Sequence, residues 1–239
     1  MMSAEGSLSH SPGTNWHCYT AAGAEAAGKS NLYLGREGPT AIDGYVDDPG
    51  SGNTAAGHRR WILYPPQKVM GSGSIPPSAG WAANALWVIG GTGTRPAQPA
   101  FVAWPPNGYV PYQLLPRSSG RWSFSYPGAT FTSATVSMQQ SGTNVALILE
   151  PQAQGYGDNT IVWRPQGVPT TAPASDLTYV VTLSNVVVSS TARTFTYRVT
   201  LIDPDQPILM VRLATGNRVT LAWSGTASGY SLQQNPSLP

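Results

Sequence analysis

Phe195–Leu201 reads F-T-Y-R-V-T-L, with Phe195, Tyr197, Val199 and Leu201 on every second residue. Successive side chains of a strand point to opposite faces, so this spacing describes a strand with one buried and one wet face. The same period extends back along the chain through Tyr179/Val181/Leu183, Ile161/Trp163, Val145/Leu147/Leu149, Ala134/Val136/Met138 and Trp122/Phe124/Tyr126. Breaks such as S-G-T-N (141–144) and Q-G-Y-G-D-N (154–159) separate the pieces at hairpin-like intervals. Half-buried strands in that number predict an antiparallel β-sandwich over 101–204.

Further along, Val219/Leu221/Trp223 and Tyr230/Leu232 alternate again. Two strands bury no core by themselves. Residues 205–239 therefore read as the opening strands of a truncated third module, similar to a fibronectin type III domain, after an Ig-like sandwich.

Upstream the period changes. Tyr19–Ala27 is Ala-rich and favours helix despite Gly23, and Thr40–Val46 starts with a possible N-cap threonine. D-D-P-G-S-G-N (47–53) interrupts before a further helical stretch, Thr54–Leu63, which Pro65-Pro66 ends. Val69–Ile75 and Asn84–Ile89 read as strands, and G-G-T-G-T-R-P (90–96) as a linker. The expected fold class is α+β: an α-β-α module over 1–97, the sandwich over 101–204 and the partial β module over 205–239.

Only 10 % of the residues are charged, against 26 glycines and 22 prolines. The roughly 25 % charge of an average soluble domain is far higher, and the difference suits a turn-rich exported protein, secreted or at a cell surface. Thirteen basic and 11 acidic residues leave a net charge of +2, with Arg59-Arg60 the densest basic spot. Nucleic acid binding needs several cations on one face, so that class is excluded. No apolar run reaches the roughly 18 residues of a spanning helix, so the chain is expected not to be integral to a membrane. Cys18 is the lone cysteine; it reads either as one half of a bridge to another segment or as a small buried hydrophobe. Trp122, Trp163 and Trp223 sit on apolar faces, whereas Trp81 and Trp104 are the candidates for surface exposure.

Three histidines, His10, His17 and His58, are the chemically versatile side chains. Nucleophile-elbow, zinc-helix and phosphate-loop signatures are absent, and His17-Cys18 are chain neighbours that do not point at each other. Asp47-Asp48 beside Pro49-Gly50 could ligate Ca²⁺, but turn chemistry explains aspartate there without a metal.

L-S-H-S-P-G-T (8–14), A-I-D-G-Y-V-D-D-P-G (41–50) and G-H-R-R-W-I-L-Y-P-P (57–66) occur in that order, followed by Gly71-Ser72-Gly73. Together they resemble the CAP superfamily of cysteine-rich secretory proteins, antigen 5 and pathogenesis-related 1, over about residues 1–92. The resemblance implies a cleft where His10 and His58 meet a carboxylate, with Tyr45 as the helix aromatic. The family's glutamate falls on A-G-K-S-N-L (27–32), where Lys29-Ser30 stand in its place, Asn31 and Leu32 match, and Glu25 one turn away is the substitute. The family's long first helix is missing, so the resemblance also implies a truncated start and an apolar patch including Ile89 or Leu86.

The candidate cleft is therefore His10, His58, Glu25, Ser30 and Asn31. Neutral imidazoles suit Zn²⁺ or another divalent ion, and His10 and His58 are the metal candidates, binding weakly without a dependable carboxylate. The bland alternative is that both rings hydrogen-bond backbone around a polar cleft. The function expected is non-enzymatic binding or adhesion outside the cell, with a small molecule, lipid or protein as partner. A metal-assisted or His/carboxylate hydrolase and a structural spacer are the alternatives.

Overall fold

The computed structural model describes residues 1–205, 210–214 and 218–222. The chain opens with α1 (Met2–Glu5) and α2 (Ala21–Lys29), the latter capped by Thr20, whose Oγ1 accepts the Gly23 N–H at 3.0 Å. β1 (Ser30–Leu34) follows directly, then α3 (Gly38–Asp47), α4 (Gly57–Ile62), β2 (Gly71–Ile75) and β3 (Ala83–Trp87). These strands make an antiparallel sheet in the order β1-β3-β2, with Leu32 and Gly73 both opposite Ala85. α3 starts two residues earlier than Thr40, with Glu37 as its N-cap residue. Its interior Gly44 is explained by packing: a Cβ there would meet the Tyr33 ring at 2.3 Å.

The sandwich contains two sheets. β4 (Val102–Trp104), β6 (Trp122–Ser125), β10 (Thr160–Pro165) and β9 (Leu147–Leu149) form one, in that order. The other runs β5 (Gly108–Pro111), β12 (Thr191–Ile202), β11 (Leu177–Val188), β7 (Thr135–Gln140) and β8 (Thr143–Asn144). Trp122, Phe124, Ile161 and Trp163 from the first sheet meet Met138, Val181, Tyr197 and Val199 from the second in one apolar cluster. Of the alternating residues read from the sequence for this sandwich, all but Leu149 belong to this cluster or pack against it; Leu149 is exposed instead. One feature departs from the expected antiparallel pattern: β5 runs parallel to β12.

The expectation of an α+β class led by an α-β-α module is overturned. Among the described residues 37 % are strand and 18 % helix, and the four α-helices span four to ten residues each. The physical reason is core size. Ala41, Tyr45, Leu86 and Val88 are the buried members of the first segment's cluster, far fewer than the eighteen of the sandwich. Helices this short bury too little to form full layers. The chain is mostly β, and its main core lies between the sandwich sheets.

Leu86 is buried, which corrects its place in an exposed patch, while Ile89, Val69 and Trp81 are exposed. Cys18 is free and exposed rather than buried. Trp122 and Trp163 are core residues, and Trp104 is half-buried. In the third segment, β13 (Met210–Ala214) pairs with β14 (Arg218–Ala222); Trp223, Tyr230 and Leu232 lie outside the described residues.

Buried arginines tie the first segment to the sandwich. Arg59, fully buried on α4, donates from Nη1 to Arg121 O at 2.8 Å and to Ser123 Oγ at 3.3 Å. Arg121 reaches back from beside β6, donating to Asp48 O at 2.7 Å and Gly50 O at 2.9 Å, while its Nε donates to Glu150 at 3.0 Å. Arg60 clamps Ala153 O at 2.7 Å and Asp158 O at 2.9 Å. The Asp47 carboxylate accepts the Ser118 and Ser119 N–H groups. Arginine suits this task because its planar fork carries five donors and stays charged.

Burial raises the phenol pKa of Tyr45, Tyr179 and Tyr197 above its ordinary value. For such groups the associated stability is complete below about pH 10, where an unfolded tyrosine ionises, and is lost as pH rises further. A spectrophotometric titration of the chain's 11 tyrosines is expected to leave Tyr45 and Tyr197 silent at pH 11 until unfolding exposes them. Ionisation of all the phenols near pH 10 in the folded protein would contradict this packing.

Candidate binding cleft

The site begins at the end of α3. Asp48 closes that helix in the left-handed conformation, at φ 54°, and its N–H reaches Gly44 O at 2.8 Å. Aspartate tolerates this conformation better than most residues. Its side chain is fully buried and turned toward α4. Oδ2 accepts the His58 backbone N–H at 3.0 Å and Oδ1 lies 2.8 Å from His58 Nδ1. An ionised carboxylate only accepts, so Nδ1 carries the proton and Nε2 of the neutral ring is left as an acceptor.

His58 is fixed from two further sides. Its ring stacks on Tyr45, with centroids 5.6 Å apart and planes at 29°, and its carbonyl accepts Asn31 Nδ2 at 2.9 Å. The Tyr45 hydroxyl lies 3.0 Å from both Asn31 O and Asn84 O and 2.9 Å from Asn84 Oδ1. A buried hydroxyl met this way ties α3 to β1 and β3 and leaves no orphaned polar group. His10, on the loop before α2, places Nδ1 2.9 Å from Ala27 O. A carbonyl can only accept, so His10 too keeps its Nε2 lone pair free.

The two rings line the same space. A pocket of about 290 Å³ runs past Leu8, Tyr33, Tyr45 and Asp48. A second, of about 360 Å³, runs past Ser30, Asn31, Trp61 and Tyr156. His10, Asn53 and His58 line both, so they form the ridge where two lobes of one cleft meet.

Of the residues named from the sequence, His10, His58, Ser30 and Asn31 lie on this cleft. Glu25 does not. It points from α2 to solvent, where Lys29 Nζ donates to it at 2.8 Å in an i,i+4 pair. The carboxylate that meets His58 is Asp48, whose place in Asp-Asp-Pro-Gly reads from the sequence as turn chemistry. A signal existed: two acidic residues end α3, where the negative end of the helix dipole disfavours them. Both are held by tertiary partners. No group of three or more His, Cys, Asp or Glu side chains among the described residues gathers to hold a metal. The Zn²⁺ expectation at His10 and His58 therefore gains no third ligand, because the nearest carboxylate is engaged by His58.

No protein-family model and no curated protein matches the chain. Among solved structures it is similar to PcoC, a methionine-rich copper resistance protein from Escherichia coli. That match has 18 % identity and a TM-score of 0.31, covering 41 % of this chain and 92 % of the other. A TM-score this low carries no argument about fold or chemistry. No helix among the described residues is long and apolar enough to cross a membrane.

Proposed function

We propose that the chain is an extracellular binding protein whose cleft recognises a small molecule through the acceptor nitrogens of His10 and His58. The observation that carries this reading is the orientation of the two rings. Each has Nδ1 engaged, by Ala27 O and by buried Asp48, and each leaves Nε2 on a shared cleft without a partner among the described residues. Locked rotamers with unpartnered acceptors are what a preorganised site requires. Kinship with the CAP superfamily is part of the proposal and rests on the short motifs around these histidines. The test is side-chain ¹⁵N NMR of the full chain during a fragment titration. Hits should move the His10 and His58 Nε2 signals together and lose their effect in His58→Ala. Hits that leave both rings unmoved would overturn the reading.

The Asp48–His58 pair also supports a second reading, a general base oriented by a carboxylate. Among the described residues no hydroxyl or thiol is hydrogen-bonded to the His58 ring, so the attacking group would be water. Hydrolysis of chromogenic esters or peptides abolished by His58→Ala would favour this reading over pure binding.

A further inference from the structure

We infer that the larger lobe of the cleft is a binding subsite for a neutral saccharide, with one wall supplied by Tyr156 of the β-sandwich. This deepens the binding reading above and rests on it. Three observations point to the ligand class.

The first is charge. No Lys, Arg, Asp or Glu side chain lines the lobe. A charged ligand would lose hydration there and find no counter-ion.

The second is the hydrogen-bonding inventory. Ser30 and Asn31 are buried residues whose Oγ and Oδ1 have no hydrogen-bond partner among the described residues; Asn31 uses its Nδ2 on His58 O. Asn53 likewise uses Nδ2 on Pro49 O, leaving Oδ1. With Nε2 of His10 and His58, the lobe presents a set of acceptors that calls for a ligand rich in donors. Neither Ser30 Oγ nor Asn31 Oδ1 is among the fully buried atoms that lack a partner, so both are open to a ligand, and sugar hydroxyls supply donors at close spacing.

The third is the aromatic wall. Trp61 from α4 and Tyr156 from the loop before β10 both line the lobe, and such rings take the C–H face of a pyranose as they take other apolar faces. Tyr156 remains 39 % exposed, and its position is held from α4. The Arg60 guanidinium covers its ring at 5.3 Å from the centroid while bonding both ends of the loop, at Ala153 O and Asp158 O. Gly57 admits the ring because a Cβ there would meet Tyr156 Cδ1 at 2.8 Å. One short helix thus carries His58 for one part of the cleft and positions Tyr156 for the other.

The experiment uses the full chain with chitotetraose, cellotetraose and maltotetraose as neutral probes and tetragalacturonate as the charged control. Calorimetry is combined with the His Nε2 shifts. At least one neutral tetraose should bind and move both histidine signals, and tetragalacturonate should not. Tyr156→Ala should weaken that binding about tenfold, as loss of one stacking face implies, whereas Tyr156→Phe should retain it. If alanine unfolds the loop, Tyr156→Leu, which keeps bulk without a ring, makes the same comparison. Binding that is unchanged in the folded ringless variant overturns the subsite. Fragments that move His10 and His58 while no tetraose binds overturn the saccharide class and leave the binding reading standing. Failure of fragments and tetraoses alike overturns both.

Discussion

Arg59→Met is expected to lower the unfolding free energy by about 3–5 kcal/mol, the range for breaking a buried charged network. The arginine is fully buried, and burial pushes its guanidinium down to about 10, with Asp48 and then Asp47 opposing that fall. Methionine matches the stem but carries no donors. Val46 O, Asp47 O, Arg121 O and Ser123 Oγ would each lose a partner, and Asp47 and Asp48 would lose the nearby cation. An unsatisfied buried acceptor costs about 1–3 kcal/mol, which agrees with the total once partial rearrangement is allowed. Arg59→Lys should recover little, because a single ammonium cannot span acceptors on both sides of the junction. Urea denaturation of the two variants and the parent provides the check. A loss below about 1 kcal/mol in Arg59→Met would mean that the junction is incidental to stability.

This junction explains what was legible in the sequence and what was not. The strands of the sandwich announce themselves because burial on one face of a strand writes a period of two into consecutive residues, as at Phe195–Leu201 and Trp122–Tyr126. Partner choice is not written that way. Nothing local in Gly108–Pro111 says that it lies parallel to β12. The helices of the first segment were legible as helices, but their periodicity does not report how little they bury, and so the α-β-α expectation failed. His10, His58, Ser30 and Asn31 could be named from motif order alone. Asp48 could not, since Asp-Asp-Pro-Gly is also an ordinary turn and its partner is ten residues away on another helix. The wall at Tyr156 is further beyond local reading. It depends on Arg60 reaching Ala153 and Asp158, which lie 93 and 98 positions further along the chain.

Asp48→Asn is expected to keep the fold and switch the cleft. Asparagine has nearly the same shape and tolerates the left-handed backbone that Asp48 adopts, so the α3 terminus and the Arg121 contact to the residue-48 carbonyl should survive. The amide oxygen can still accept the His58 backbone N–H. The remaining NH₂ then faces His58 Nδ1, where a carboxylate oxygen lies at 2.8 Å in the parent. A donor cannot face a donor, so the imidazole must move its proton to Nε2. The atom that faced the cleft as an acceptor would become a donor. Setting a donor against a ligand donor costs about 1–3 kcal/mol, so a loss of about 5–150-fold is expected for any ligand that moves the parent's His58 signal. Stability should fall by only about 1–3 kcal/mol, the cost of one mismatched buried polar contact. The readouts are the ¹⁵N shifts of the His58 ring, which should exchange their protonated and unprotonated positions, and the affinity of the same ligand. Exchange of the two nitrogens with affinity unchanged would remove His58 Nε2 from the binding contacts. Unchanged shifts would show that Asp48 does not set the ring's tautomer.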